Sequence, residues 1–204
     1  SSPAFKTIWY PAIAGACTFF IWTVLCRFSY MPLIPALIHQ EGFTLASTAW
    51  LGSINFLGYL LGALLGINFK KYMNPILGIK ICLILSVLSL GLSAIDLGFA
   101  WLGIWRFLIG LTASLLTVLS PVVILEKMPE DYRGRVSGAM FTGIGVGVIL
   151  AGFLVPYLAK TSVVHAWLSV AFLAFIAVLI AWKAFSDLSK IAFDQSSVQS
   201  QKIN

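Results

Sequence analysis

Six apolar segments, each about as long as a lipid bilayer is thick, constrain the fold of this 204-residue chain more than any other feature. A helix needs about 20 apolar residues to cross the hydrocarbon core. Only 10% of the residues are charged, whereas a soluble domain has about 25%. The segments cover residues 10–38, 46–69, 76–95, 99–125, 136–158 and 163–185. The sequence therefore predicts an all-α transmembrane domain over residues 1–185 and a cytoplasmic amphipathic or disordered tail over residues 186–204.

The cations outside the segment interiors predict how these helices are oriented. One side of the membrane would carry only Lys160. The other side would carry ten cations: Lys6, Lys70, Lys71, Lys80, Lys127, Arg133, Arg135, Lys183, Lys190 and Lys202. Because Lys and Arg are enriched in cytoplasmic connections, both termini are predicted to be cytoplasmic.

The six segments form two sets of three with matching character. The first and fourth each contain one embedded arginine, and the third and sixth are plain apolar spans. The second and fifth contain glycines at four-residue spacing, namely Gly58, Gly62 and Gly66, then Gly143 and Gly147. Small residues of this kind let membrane helices pack closely. Each set has an odd number of helices, so the second set runs through the membrane in the opposite orientation. We therefore predict a six-helix bundle of two inverted three-helix repeats.

Arg27 and Arg106 are the two embedded cations. Counting along the helices from their outer ends places both about 10–17 Å below the outer surface. No Asp or Glu lies at a comparable depth in the sequence, and a charge in hydrocarbon normally faces a protein-lined or water-filled cavity. A guanidinium holds a carboxylate or phosphate by two parallel hydrogen bonds. The two arginines therefore predict one shared site for an anionic small-molecule solute.

Three further polar side chains are candidates for this binding site. Tyr30 follows Arg27 at a three-residue spacing, whereas Asn55 and Tyr59 lie one turn apart on the second segment. Each candidate also has a structural interpretation. Arg27 could bond backbone carbonyls and tie helices together, and Arg106 could be a scaffold residue. Asn55 and Tyr59 could instead form a local interhelical hydrogen bond.

The sequence shows no pattern of a catalytic or metal site. Its three cysteines all lie in apolar segments without a CxxC pair or a His/Cys cluster. Hydrolase, HExxH and phosphate-loop motifs are also missing from the sequence. We therefore expect no enzyme activity, no cofactor and no metal. The net charge of +6 is attributed to membrane orientation and not to nucleic-acid binding.

Several motifs together resemble the major facilitator superfamily (MFS), specifically its N-terminal six-helix half. Residues 106–110 have the form RxxxG of the fourth helix, and Gly66 with Lys70-Lys71 resembles the motif after the second helix. Residues 129–138 resemble the loop before the fifth helix, and the glycine run 143–152 resembles that helix's own motif. Residues 27–35 (RFSYMPLIP) and 50–62 (WLGSINFLGYLLG) look like YbfB/YjiJ-type bacterial transporters. The resemblance covers about residues 10–185.

This resemblance implies half of a transporter that moves a small organic solute, anionic or amphipathic, by alternating access in a bacterial inner membrane. It implies proton coupling or hydrogen bonding to the first helix for Arg106, and it places the second and fifth helices, with their glycine faces, against a second six-helix half. That half would be another chain, a second copy in a homodimer, or a C-terminal half missing from this sequence. Lys70 stands where the family has an acid that helps latch the cytoplasmic gate. The alternative function is a structural or accessory subunit of a larger membrane complex.

Overall fold

The computed structural model describes residues 9–23 and 29–201, with side chains except at position 70 and at positions 188–201. Regular structure in these residues is helical throughout. The helices are α1 (Tyr10–Thr23), α2 (Ile34–Gln40), α3 (Leu45–Ile67), α4 (Phe69–Tyr72), α5 (Pro75–Ser93), α6 (Gly98–Leu125), α7 (Glu130–Ala159) and α8 (Val163–Gln201). Arg27 and the predicted cytoplasmic cations Lys6 and Lys202 lie outside the described residues, as do the side chains of Lys70 and Lys190.

Five helices (α3, α5, α6, α7 and α8) are long and apolar enough to cross a membrane. They coincide with the second to sixth predicted segments to within a few residues, except where α7 and α8 are longer. Capping residues fix the starts of two of them. Thr44 and Ser47 form a capping box before α3, and the Asn74 side chain accepts a hydrogen bond from Ile76 N before α5. Helix α7 begins at Glu130, earlier than predicted, because acidic residues suit the first turn of a helix.

The first predicted segment, residues 10–38, is not one continuous helix. The chain turns at Ser29-Tyr30, forms a 3₁₀ turn over Met31–Leu33 and then enters α2. Pro32 and Pro35 lie in this stretch. Proline lacks the amide donor and disfavours a helical conformation in the preceding residue, so an apolar run with two prolines breaks where the sequence-based prediction continued it.

The end of the chain also differs from the prediction. Helix α8 continues through residue 185 as far as Gln201, whereas the sequence predicts an amphipathic or disordered tail over residues 186–204. Residues 186–201 contain neither glycine nor proline. Because no residue type there interrupts a helix, the backbone extends beyond the apolar span.

The helices pack as two equivalent sets. Helix α6 packs against α3 and α5, and α1 packs in the same way against α7 and α8. The pairs α1 with α6 and α5 with α8 join the two sets. Exchanging α1, α3 and α5 for α6, α7 and α8 maps these contacts onto themselves, whereas the contact of α7 with α8 has no counterpart of similar size between α3 and α5. The structure thus confirms an all-α bundle built from two three-helix repeats.

Glycines bring α3 and α6 into backbone contact. A Cβ atom at Gly58 would overlap the carbonyl oxygen of Phe107, and one at Gly110 would overlap the carbonyl oxygen of Asn55. One turn further along α3, a Cβ at Gly62 would lie 2.5 Å from another α6 carbonyl. The contact is reciprocal, since each helix contributes a glycine at the point where the other contributes a carbonyl.

The symmetry-related pair, α1 and α7, has one glycine against a carbonyl and one glycine against a side chain. A Cβ atom at Gly143 would overlap the carbonyl oxygen of Ala16, and one at Gly15 would lie 2.5 Å from the Met140 side chain. Gly147 is buried on the same helix. The prediction that these glycines serve close helix packing therefore agrees with their contacts.

The prediction that the same glycine faces dock a second half needs correction. The space beside Gly58 and Gly62 is filled by α6, and the space beside Gly143 is filled by α1. A close-packed face cannot receive another helix without being pulled apart. The glycine faces hold this bundle together from within.

Candidate functional site

Arg106 lies inside the bundle, about 12 Å along α6 from its first residue. Only 2% of this residue is exposed. Its guanidinium carbon lies 3.9 Å from the centroid of the Tyr30 ring. A cation over an aromatic face is attracted by the negative charge of the ring's π-system, so the Tyr30 ring stabilises the buried charge.

Tyr30 connects the broken first segment to two helices at once. It is 4% exposed, and its hydroxyl donates a hydrogen bond of 2.8 Å to the carbonyl oxygen of Thr48 in the first turn of α3. Its ring contacts Arg106 of α6. The turn at residues 29–30 is thereby anchored through one side chain.

Asn55 holds the main chain of Arg106. Its side chain, 7% exposed, donates a 2.8 Å hydrogen bond from Nδ2 to the Arg106 carbonyl oxygen. In an α-helix this carbonyl also accepts from the amide four residues later, which is that of Gly110. Gly110 is the residue that lets α3 come this close. The spacing of the RxxxG pattern therefore has a physical reason: the glycine opens the space in which Asn55 reaches the arginine's carbonyl.

Of the other two predicted binding residues, Tyr59 is described and lies outside this cluster. Tyr59 is half-buried and packs against the hydrophobic core. Arg27 falls among the residues that are not described, so the convergence of two guanidinium groups stays a prediction.

The cluster of Tyr30, Asn55 and Arg106 is buried within one chain. The sequence suggests that Arg106 faces a wet cavity, but the structure places it behind the Tyr30 ring in the bundle interior. In this conformation none of the three side chains is open to a solute.

An apolar groove of about 400 Å³ runs beside the buried cluster. It is lined by Ile54 of α3 and by Phe99, Ala100, Gly103, Ile104, Phe107 and Leu108 of α6. Ile54 is the neighbour of Asn55 in the sequence, and Phe107 is the neighbour of Arg106. The groove therefore lies at the depth of the arginine and offers only apolar side chains to its contents.

Two features of the connections between helices were not predicted from the sequence: the hydrogen bonds of Gln40 and the raised pKa of Glu41. Gln40 bridges the turn between α7 and α8, donating from Nε2 to the Ala159 carbonyl at 2.9 Å and accepting from the Val163 amide at 3.1 Å. Burial, together with the nearby carboxylate of Asp96, raises the pKa of Glu41 above its ordinary value. The polarity of these residues signalled a connection, but residues far apart in sequence supply the partners.

Metal ligands are not grouped in the part of the chain that the structure describes. No three residues among His, Cys, Asp and Glu lie close enough there to hold an ion.

Comparison with known proteins places this geometry in context. Residues 24–204 match the family described as "Uncharacterised MFS-type transporter YbfB". None of the curated protein sequences matches the chain. Among solved structures, a D-xylose-proton symporter resembles the fold with a TM-score of 0.68 at 14% sequence identity. The likeness covers 100% of this chain and 54% of the symporter, so the chain spans about half the length of that protein. Because the family match extends over most of the sequence, the chain belongs to the family of MFS-type transporters represented by YbfB.

Proposed function

We propose that this chain is one half of a secondary transporter that moves a small organic solute, anionic or amphipathic, across the membrane by alternating access. Membership in an MFS-type transporter family supports membrane transport. The inverted repeats and the likeness to half of a symporter fold support the architecture that alternating access requires. We further propose a bacterial inner membrane as its location, with both termini cytoplasmic, on the basis of the ten cations predicted on one side.

The observation that carries the proposal is a buried cation next to an apolar groove. Arg106 lies one residue from the groove wall at Phe107. All seven acidic residues of the chain lie in connections, at helix ends or beyond the last apolar span. The membrane interior of this half therefore has a positive potential, and the groove beside it suits the apolar part of an amphipathic anion.

Each predicted site residue has a proposed role. Arg27 binds the anionic group of the solute, and Tyr30, Asn55 and Tyr59 shape the site around it. Arg106 sets the local electrostatic potential. At a separation of about 8 Å and an effective dielectric constant of about 20, a unit charge contributes about 2 kcal/mol. That is enough to favour an anion over a neutral analogue by more than about tenfold.

The second half is proposed to dock on the exposed apolar faces of α3 and α7, not on their glycine faces. On α3 the exposed side chains include Phe56, Leu60 and Leu64. On α7 they include Ile149 and Phe153. The remaining exposed apolar surface would contact the lipid bilayer.

Transport assays in proteoliposomes test this function. The chain would be purified with any second half that accompanies it and reconstituted, and uptake would be measured for a panel of amphipathic anions, led by phenyl phosphate, and for matched neutral compounds. We expect the anions to accumulate to a higher level in the proteoliposomes than in empty liposomes. Arg27→Ala should lower uptake about tenfold or more, since a charged hydrogen-bonded pair contributes about 1.5–3 kcal/mol.

Lys160→Ala is the matched control, because it removes a cation that is exposed at the end of α7. Uptake should be unchanged in this variant. If no member of the panel enters faster than into empty liposomes, transport is refuted and the accessory-subunit alternative gains. If Arg27→Ala transports every anion normally, Arg27 has no part in binding.

A further inference from the structure

We propose that Tyr30 and Asn55 are positioning residues which clamp Arg106 inside the half, so that Arg106 selects solutes by its charge and never touches them. This inference rests on the proposed transport function for its effect on solutes, whereas the clamp itself is independent of that function. Tyr30 and Asn55, which the sequence predicts as solute contacts, would then act on the solute only through Arg106.

The first part of the clamp holds the side chain of Arg106. The Tyr30 ring covers one face of the guanidinium at 3.9 Å, and the Tyr30 hydroxyl is bonded to the Thr48 carbonyl at 2.8 Å. A tyrosine side chain has two rotatable angles, and contacts at both its ring and its hydroxyl fix them. The ring therefore cannot leave Arg106 without breaking its bond to α3.

The second part holds the main chain of the same residue. Asn55 bonds the Arg106 carbonyl at 2.8 Å, in the space that Gly110 leaves open. Side chain and backbone of Arg106 are thus held by α3 and by the turn at Tyr30, two elements that are not part of α6. A functional group held from several directions keeps its position to a fraction of an ångström.

Neither Arg106 nor Tyr30 is accessible to a solute. Arg106 and Tyr30 are 2% and 4% exposed, and the adjacent groove has an entirely apolar lining. A solute in the groove would feel the positive potential through low-dielectric protein while forming no hydrogen bond to the guanidinium. Selection by potential depends on the sign and size of the solute's charge and is insensitive to the shape of its anionic group.

Chemical labelling tests the clamp without any need for transport. The purified full chain would be treated with phenylglyoxal, which modifies arginine, and the rate at each arginine read by peptide mass spectrometry. Arg133, whose side chain is 48% exposed, is the internal reference. We expect Arg106 to react about tenfold more slowly than Arg133 or slower still, because its reaction needs a local opening.

Three variants complete the labelling test. Tyr30→Leu should raise the labelling rate of Arg106 about tenfold, whereas Tyr30→Phe, which retains the ring but loses the bond to Thr48, should raise it less. Tyr10→Leu, a change at another partly buried tyrosine, should have no effect. Labelling of wild-type Arg106 as fast as Arg133, or equal protection in Tyr30→Leu and wild type, would overturn the clamp. The wild-type rate alone decides the matter if Tyr30→Leu does not fold.

Transport kinetics test selection by charge. Arg106→Gln should raise KM about 10- to 30-fold for a phenyl carboxylate and by the same factor for a phenyl sulfonate, because both are monoanions. Phenyl phosphate, which carries about 1.5–2 negative charges at neutral pH, should show a larger factor. The kcat should stay unchanged. Tyr30→Leu should approach the KM of Arg106→Gln. Factors that differ more than about threefold between the two monoanions would show direct contact and refute the inference.

Failure of the proposed transport function and failure of the clamp give different results in these experiments. Absence of transport with a protected Arg106 would refute the proposed function and leave the clamp standing. Arginine-dependent transport with an unprotected Arg106 would do the opposite.

Discussion

Gly110 lies where α6 comes closest to α3, and its replacement by alanine is the sharpest test of the packing. The new Cβ would overlap the Asn55 carbonyl oxygen and would lie 3.0 Å from both the Asn55 carbonyl carbon and the Tyr59 amide nitrogen. All three are backbone atoms in the middle of a helix, so no side chain can rotate away. Carbon and carbonyl oxygen approach to about 3.3 Å in their closest favourable contacts, so the helices must separate.

Two effects lower the free energy of unfolding in Gly110→Ala. Overpacking of a well-packed interface lowers stability by about 1–3 kcal/mol. Separation also lengthens the 2.8 Å bond from Asn55 to the Arg106 carbonyl, and an interhelical hydrogen bond in a membrane protein contributes about 0.6 kcal/mol on average and up to about 1.7. Together we expect a loss of about 2–4 kcal/mol in the free energy of unfolding.

Gly103 provides a matched control on the same helix. A Cβ there would meet only side-chain atoms, Ile54 Cδ1 at 3.6 Å and Leu51 Cδ2 at 3.9 Å, which are ordinary contacts. Alanine raises helix propensity over glycine by about the same amount at both positions, so the difference between the two variants isolates packing. Gly103→Ala should therefore be neutral or slightly stabilising.

The assay is reversible unfolding of the full chain by SDS in mixed micelles, followed by far-UV circular dichroism and by labelling of the buried Cys82 thiol. Free energies for Gly110→Ala and Gly103→Ala that agree within about 0.5 kcal/mol would refute the reasoning. A double-mutant cycle adds a second check. Asn55→Ala should destabilise the wild type but have little further effect once Gly110→Ala has separated the helices.

Three further predictions concern the helix connections and the end of α8. Gln40→Leu removes both bonds to the α7–α8 turn and should lower the free energy of unfolding by about 1–2 kcal/mol, with faster hydrogen exchange at Val163; unchanged exchange there would contradict the role of Gln40. The folded-state pKa of Glu41 is raised, first by burial and then by Asp96, so its protonated form favours folding, and the stability it contributes is lost as the pH rises through that pKa. Glu41→Gln should therefore flatten the fall in the SDS unfolding midpoint between about pH 4 and 7, and slopes equal to those of wild type would count against this. Lys80 donates to Ser186 at 2.8 Å and lies 5.0 Å from the Trp182 ring, so Lys80→Met should destabilise the α5–α8 contact by about 1 kcal/mol in the same SDS assay, and a variant as stable as wild type would mean that the contact contributes nothing.

Much of the fold could be predicted because hydrophobic length is read directly from sequence. The five long helices follow from uninterrupted apolar runs. The break in the first segment also had a visible signal in Pro32 and Pro35, but the unbroken apolar character of residues 10–38 outweighed it. A bilayer-length criterion measures hydrophobicity and does not test whether each amide can donate.

The site was less predictable, because contacts across helices decide it. A three-residue helical spacing pairs Tyr30 with Arg27, but Tyr30 lies in a turn, where helical spacing does not apply. Its ring instead covers Arg106. The glycines indicated close approach, but a glycine does not reveal which backbone fills the space beside it. For Asn55 the sequence allows either a place beside a solute or an interhelical hydrogen bond, and the structure shows the hydrogen bond, to a carbonyl of α6.

The glycine–carbonyl contacts have a mechanical consequence. Where two backbones touch, no flexible side chains remain between them to absorb a displacement, so α3 with α6 and α1 with α7 should each act as one stiff strut. Any opening of a pathway through this half would then slide the first strut past the second along the seam between α1 and α6, and Arg106 would travel with Asn55 on the first strut.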